Sequence, residues 1–140
     1  MDCDLIFVYG TLRRAARDDI HSRYLGVRAE AIGKGTVCGK LWRVSWYPAL
    51  THGDADTDRV TGEVYRLSDP DGMITELDRF EVCDLARPEE SEYTREIVDM
   101  RLAAGGTLRA WCYFFLGPVA GLERIESGDF TGHSDPWSDE

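Results

Sequence analysis

A carboxylate lies where a predicted helix turns its apolar side inward. The segment MITELDRFE, residues 73–81, has its apolar residues on one stripe when the chain turns by about 100° per residue. The residues of this stripe are Met73, Ile74, Leu77 and Phe80. Glu81 falls on the same stripe in the last helical turn, where burial and the electronegative helix end both disfavour a charged carboxylate. We therefore expect the pKa of Glu81 to be raised toward neutrality, as general acid–base catalysis requires.

Helix geometry leaves an alternative open for this carboxylate. Because helix ends fray, the Glu81 side chain would be able to turn out to solvent. An arginine such as Arg95 would also be able to neutralise it in a salt bridge. In either case Glu81 would have no catalytic role.

A glycine-containing loop follows the first strongly apolar segment of the chain. In LIFVYGTLRR, residues 5–14, the apolar run predicts a buried strand that ends near Tyr9 and Gly10. Glycine permits a positive φ or a close approach to the backbone, and loops of this kind gather N–H groups around anions. The loop is therefore a candidate anion-binding site. Arg13 and Arg14 are interpreted either as a solvated pair or as contacts for a substrate carboxylate.

The other residues capable of metal chemistry do not form a recognised pattern. The segment DADTD, 54–58, begins like a calcium-binding loop, but Arg59 and Tyr65 stand where such a loop needs glycine and glutamate. The histidines and cysteines are scattered without zinc-ligand spacing. They are His21, His52, His133, Cys3, Cys38, Cys83 and Cys112. We predict reduced thiols, no metal site and no cofactor.

Most of the elements that position these residues are predicted to be β-strands. Residues 4–8 predict a buried strand, and YTREIVDMRLA, 93–103, alternates apolar and polar residues before a turn at Gly105. One helix is well indicated, because Ser68 or Asp69 can cap it and Pro70 suits its first turn. We predict an α+β fold with a mixed, barrel-like β-sheet and one or two helices.

Composition and charge limit the classes of partner. The chain has 140 residues and a net charge of −10, so phosphate backbones and anionic membranes are unfavourable partners. It contains neither an apolar run of membrane-spanning length nor the pattern of a signal peptide. We predict a soluble, cytoplasmic protein that binds no nucleic acid and no membrane, and is a monomer or weak homodimer. A single domain is expected over residues 1–132, followed by a frayed acidic tail over 133–140.

Seven ordered segments together resemble the gamma-glutamylcyclotransferase-like family of small α+β proteins. These segments are VYGTLRR (8–14), WYPAL (46–50), TGEVYRL (61–67), LDRFE (77–81), EYTRE (92–96), AWCYFF (110–115) and IESGDF (125–130). The resemblance extends from about residue 5 to 132. It implies a barrel-like mixed sheet with a central pocket and a small-molecule γ-glutamyl substrate.

The resemblance also implies roles for individual residues. The substrate-binding loop would be formed by Tyr9, Gly10, Thr11 and Leu12. Glu81 would be the acid–base residue, with Tyr93 and Arg95 near the pocket. The α-amine of the substrate would attack its own γ-carbonyl, so that 5-oxoproline forms and an amine is released without a cofactor.

The sequence departs from the family pattern after the loop. Many relatives continue with a glycine and an asparagine–histidine pair, whereas this chain has AARDDIH at 15–21. His21 matches plausibly, but Asp18 and Asp19 bring negative charge near a site expected to accept carboxylates. The sequence therefore leaves open which amine the reaction would release. The alternative to an enzyme is a non-catalytic module that binds a small metabolite in the same pocket.

Overall fold

The computed structural model describes residues 3–10, 12–13, 18–45, 47–54 and 57–130, with the backbone alone for 18–20. Within these residues the chain forms β1 (Leu5–Val8), α1 (Asp18–Tyr24), β2 (Ala29–Cys38), β3 (Lys40–Arg43), β4 (Pro48–Thr51), β5 (Arg59–Leu67), α2 (Pro70–Phe80), β6 (Tyr93–Leu102), β7 (Thr107–Phe115) and β8 (Glu123–Arg124). Single turns of 3₁₀ helix lie at Gly26–Arg28 and Pro88–Glu90.

In the described part of the chain, five strands close into a barrel in the order β1-β5-β2-β6-β7. Neighbouring strands are antiparallel except at the closure, where β1 runs parallel to β7 and Ile6 is opposite Trp111. The sheet is therefore mixed as well as barrel-like. The predicted α+β fold is confirmed.

Both faces of β1 are buried, which explains its continuous apolar sequence. Leu5 and Phe7 pack into one apolar cluster with residues of the other barrel strands, including Met100. Ile6 and Val8 face the opposite way and pack with the apolar stripe of α2. Because alternate residues of a strand face opposite sides, β1 holds α2 against the barrel wall.

Glycines allow the barrel strands to approach closely. A Cβ atom on Gly62 would lie 2.4 Å from the Val8 carbonyl oxygen and 2.5 Å from Phe7 Cζ. Gly35 on β2 is directly opposite Gly62. The glycine within TGEVYRL therefore marks a close backbone approach, and the bulge lies on β2 between Ala31 and Gly33.

A smaller sheet, in the order β4-β3-β8, brings the start of β4 next to the loop that follows β1. A Cβ atom on Gly10 would lie 2.8 Å from Pro48 Cγ and Cδ. Only a glycine therefore fits at this point of the loop without displacing Pro48. This contact joins the loop after β1 to the smaller sheet.

The helix and turn predictions are confirmed where the structure describes them. Asp69 caps α2 by accepting a hydrogen bond from the Gly72 N–H, and Pro70 is the first helical residue. Gly105 and Gly106 form the β6–β7 turn with positive φ angles of 113° and 93°. No helix in the described residues combines the length and the apolar character needed to cross a membrane. The predicted tail at 133–140 lies outside the described residues.

Candidate active site

A cavity of about 140 Å³ opens between the loop after β1, the start of β4, the end of α2 and strands β6 and β7. A water molecule needs roughly 10–15 Å³ of such space, so the cavity has room for a small organic ligand. The described residues that line it are Phe7, Val8, Tyr9, Gly10, Leu12, Tyr47, Pro48, Phe80, Glu81, Glu92, Tyr93 and Tyr113. Their polar groups are carboxylates, tyrosine hydroxyls and backbone groups.

Glu81 is placed at the cavity by the end of α2. It is the C-cap residue, and the Val82 and Cys83 N–H groups donate to the Arg79 and Asp78 carbonyl oxygens. These two bonds form a Schellman motif, which normally has glycine at the position of Val82 because that residue is left-handed. Val82 has a φ of 53°, an unfavourable conformation for a β-branched residue. Backbone strain is therefore stored directly next to Glu81.

The surroundings of Glu81 favour its protonated form. Burial raises its pKa from the usual value near 4.5 to about 8, and the nearby carboxylates of Glu92 and Asp78 contribute further. Among the described residues, no donor or cation lies within bonding distance of its carboxylate. Glu81 is therefore able to give or take a proton near neutral pH, as the stripe on α2 predicts.

Asp78, one turn before the C-cap, joins the end of α2 to two strands. Its two carboxylate oxygens accept from Arg95 Nε at 2.9 Å and Arg95 Nη2 at 3.0 Å, and Tyr113 Oη donates to Asp78 Oδ1 at 2.7 Å. The Arg95 guanidinium also lies 4.3 Å from the centre of the Trp111 ring. Arg95 therefore pairs with Asp78, and it does not belong to the described residues that line the cavity.

Each of the four tyrosines at the cavity donates its hydroxyl hydrogen to a protein acceptor. Tyr113 donates to Asp78 as described, and Tyr9 Oη donates to the Tyr113 carbonyl oxygen at 2.7 Å. Tyr93 Oη donates to the Pro48 carbonyl oxygen at 2.8 Å. Tyr47 Oη donates to Glu92 Oε2, and burial together with that carboxylate raises the pKa of Tyr47 to about 12. The hydroxyls are thus held in fixed orientations.

Buried polar residues anchor the loop that follows β1. Arg13 is buried and pairs with Glu63 at 3.4 Å and Asp129 at 2.9 Å. His21, also buried, places Nδ1 3.0 Å from the Leu12 carbonyl oxygen. Arg13 is therefore an internal anchor, which neither interpretation of the arginine pair anticipated. Thr11, Arg14 and the side chains of Asp18 and Asp19 lie outside the described residues.

Comparisons with known proteins show which family this chain belongs to. The sequence model described as "Gamma-glutamyl cyclotransferase, AIG2-like" matches residues 6–132. The gamma-glutamylcyclotransferase family protein YtfP of Escherichia coli K12 is 31% identical over 126 residues, which are 89% of this chain and 94% of YtfP. The chain belongs to the gamma-glutamyl cyclotransferase, AIG2-like family. The resemblance inferred from the seven segments is confirmed.

Solved structures agree with the gamma-glutamyl cyclotransferase fold. YkqA from Bacillus subtilis matches with a TM-score of 0.68 and 26% identity, over 93% of this chain and 40% of YkqA. This chain therefore spans less than half the length of YkqA. An AIG2-like protein from Mus musculus matches with a TM-score of 0.68 and 23% identity, over 98% of this chain and 97% of that protein. At this identity the second match supports the fold alone.

Within this family fold, the structure brings most of the predicted site residues together. Tyr9, Gly10, Leu12, Glu81 and Tyr93 all line the cavity. In the described part of the chain, no group of histidine, cysteine, aspartate and glutamate residues is arranged to hold a metal ion.

Three polar cavity residues, Tyr47, Glu92 and Tyr113, were absent from the predicted site. All three lie in segments that carry the family resemblance, WYPAL, EYTRE and AWCYFF. That signal marked the segments without identifying these side chains.

Proposed function

We propose that the protein is a gamma-glutamyl cyclotransferase acting on a γ-glutamyl amine or γ-glutamyl peptide. The observation that carries this proposal is Glu81, a carboxyl group at a small cavity with a pKa near 8 and no partner in the described residues. Family membership supports the same reaction class. The substrate would contain its own nucleophile, so the protein would have to fold the substrate, move a proton and stabilise an oxyanion.

In the proposed reaction, ionised Glu81 takes a proton from the α-ammonium group of the substrate. The freed amine attacks the γ-carbonyl carbon, forming the carbon–nitrogen bond of the five-membered lactam. The amide bond then breaks, and Glu81 returns its proton to the departing nitrogen. The products are 5-oxoproline and the amine. Proton transfer of this kind typically contributes roughly 10²–10⁴ in rate.

The Gly10 and Leu12 backbone would supply hydrogen-bond donors in this scheme. Within the described residues, the N–H groups of Gly10 and Leu12 have no acceptor, and both residues line the cavity. They are suited to bind the substrate α-carboxylate or the oxyanion. Thr11 belongs to the same proposed loop.

The proposal is tested by measuring 5-oxoproline released from glutathione, γ-glutamyl dipeptides and γ-glutamyl-lysine. Wild type and Glu81→Gln are compared, with Glu90→Gln as the matched control because Glu90 is exposed and pairs with Arg87 at the surface. We expect release by wild type and Glu90→Gln, and a loss of at least about 100-fold in Glu81→Gln. Equal turnover in folded Glu81→Gln would contradict the proposed mechanism.

The second candidate function is ligand binding without turnover. It is favoured by the fixed tyrosine hydroxyls and the partly enclosed shape of the cavity, which a binding module would also need. A folded wild-type protein that binds γ-glutamyl compounds and releases no 5-oxoproline would support it.

A further inference from the structure

The side chains at the cavity present hydrogen-bond acceptors, since each tyrosine hydroxyl there already donates to a protein group. Glu81 and Glu92 add carboxylate oxygens. Among the described residues, no lysine, arginine or histidine lines the cavity. A ligand group that contacts these side chains is therefore expected to be a donor, and a cation in particular.

Glu92 is held rigidly at this position by backbone bonds on both sides. Its N–H donates to the Val82 carbonyl oxygen at 2.8 Å, and its carbonyl oxygen accepts from the Leu116 N–H at 2.9 Å. The first bond joins Glu92 to the residue that follows Glu81. The backbone segments that carry Glu81 and Glu92 are therefore hydrogen-bonded to each other at the cavity.

The Glu92 side chain is only partly satisfied. Tyr47 Oη donates to its Oε2 atom, whereas its Oε1 atom has no partner in the described residues. A partly buried carboxylate oxygen without a donor is unfavourable unless water or a ligand satisfies it. Tyr47 orients the carboxylate, and the second oxygen is left for a donor from the cavity.

The backbone of the loop after β1 offers hydrogen-bond donors instead of acceptors. The Gly10 and Leu12 N–H groups, which have no acceptor among the described residues, are suited to an anion. A ligand with an ammonium and a carboxylate on the same carbon would match acceptors on one part of the cavity and donors on the other. The α-carbon of an amino acid carries this pair of groups.

We propose that Glu92, oriented by Tyr47, binds the α-ammonium group of the ligand and makes the cavity selective for an unmodified α-amino acid head. This inference rests on the proposed function for the identity of the ligand as a γ-glutamyl compound. Glu92 is a specificity residue that recognises the nitrogen destined to attack, and Glu81 is the group that removes its proton.

The test is a binding measurement that needs no turnover. L-Glutamate and glutarate differ by the α-ammonium group alone, and neither contains an amide bond to cleave. Isothermal titration of wild type, Glu92→Gln and Glu90→Gln with both compounds measures the contribution of that group. Glutamine keeps an oxygen acceptor for Tyr47, so the variant removes the charge with little change of shape.

We expect wild type and Glu90→Gln to bind L-glutamate at least 10-fold more tightly than glutarate. In Glu92→Gln the affinity for L-glutamate should fall by about 10- to 100-fold, with little change for glutarate. With a γ-glutamyl substrate, Glu92→Gln should raise KM more than it lowers kcat. No preference for L-glutamate in wild type, no L-glutamate binding, or an unchanged preference in Glu92→Gln would each overturn the inference.

These results are separable from those that test turnover. A Glu92-dependent preference for L-glutamate without any release of 5-oxoproline would remove the proposed reaction and retain the ammonium site. Release of 5-oxoproline with unaltered KM and binding in Glu92→Gln would retain the reaction and remove the ammonium site.

Discussion

At the scale of single residues, Glu81 and Glu92 show how two carboxylates in one cavity acquire different properties. Glu92 accepts a hydrogen bond from Tyr47, whereas Glu81 has no donor in the described residues and has a pKa of about 8. Burial, together with the nearby charge of Glu92, disfavours the ionised form of Glu81 and raises its pKa. The native fold therefore favours the neutral form of Glu81.

The raised pKa of Glu81 makes stability depend on pH. The native state binds this proton more tightly than the unfolded state, so its stabilising contribution is complete below pH 4.5 and is lost as the pH rises to about 8. The loss is expected to be on the order of a few kcal/mol. Glu81→Gln should therefore unfold at a higher temperature than wild type at pH 9, and at a similar temperature at pH 4.5.

Thermal unfolding of wild type, Glu81→Gln and Glu90→Gln across this pH range checks the prediction. The difference between Glu81→Gln and wild type should widen with rising pH, and Glu90→Gln should follow wild type throughout. A difference that stays constant with pH would show that Glu81 titrates in its ordinary range.

The sequence predicted Glu81 because the relevant signal is local. Its position relative to Leu77 and Phe80 follows from helix periodicity alone. Glu92 was missed because its place at the cavity depends on a bond to Val82, across a loop with no regular repeat. Arg95 was considered as a partner of Glu81, and its actual pairing with Asp78 depends on how α2 lies against β6.

At the scale of elements, the end of α2 is the part that positions the chemistry. The Schellman motif places Glu81, and the carbonyl group of strained Val82 accepts the bond from Glu92. The pair of Asp78 with Arg95 then fastens the same helical turn to β6. The N-cap and the apolar stripe of α2 were evident from the sequence, whereas a left-handed Val82 was not, because local preference opposes it.

Replacing Val82 by glycine should stabilise the fold. A left-handed conformation costs a residue with a side chain about 1–2 kcal/mol, which glycine avoids. Part of this gain is offset because glycine has more freedom in the unfolded chain. We expect Val82→Gly to raise the free energy of unfolding by up to about 1 kcal/mol in urea titrations.

The matched control is Val27→Gly, because Val27 is fully exposed and has no positive φ. This variant should be neutral or destabilising. A Val82→Gly protein that loses as much stability as Val27→Gly would show that the backbone at Val82 is not strained.

Removing the Asp78 carboxylate should weaken the attachment of α2. Asp78→Asn would leave the Arg95 guanidinium, whose side chain is 7% exposed, without its counter-charge. We expect the free energy of unfolding to fall by about 2–4 kcal/mol. Asp99→Asn is the control, since Asp99 and Arg109 are 3.7 Å apart and more than two thirds exposed, and it should cost less than about 1 kcal/mol. Equal losses in the two variants would contradict a structural role for the Asp78 pair.

At the scale of the whole molecule, the barrel depends on close contacts between strands. Gly35 faces the next strand so closely that a Cβ atom would lie 2.1 Å from the Arg101 carbonyl oxygen and 2.5 Å from Met100 Cε. The sequence predicted mainly strands, but the order of strands in the barrel depends on pairings between distant segments. Only the family resemblance implied that the barrel-like sheet contains a pocket.

Gly35→Ala should destabilise the barrel far more than Gly33→Ala. Both positions are on β2, but a Cβ atom at Gly33 would meet only Leu102 Cδ2, at an ordinary 3.5 Å. Overpacking typically costs about 1–3 kcal/mol, and the Arg101 backbone oxygen cannot move aside as a side chain can. Chemical unfolding should therefore show a loss above about 2 kcal/mol for Gly35→Ala and less than about 1 kcal/mol for Gly33→Ala. Similar losses would argue against a tight β2–β6 contact at Gly35.

The pairing of Ile6 with Trp111 has a consequence for the order of assembly. Residues of both β1 and β7 line the cavity, so it exists only after β7 has joined β1. A compound that occupies it should bind the native state and not the folding transition state. Saturating L-glutamate, at about 100 times its Kd, should slow unfolding roughly 100-fold and leave the refolding rate unchanged in stopped-flow experiments. Faster refolding would mean that β1 and β7 meet before the rate-limiting step.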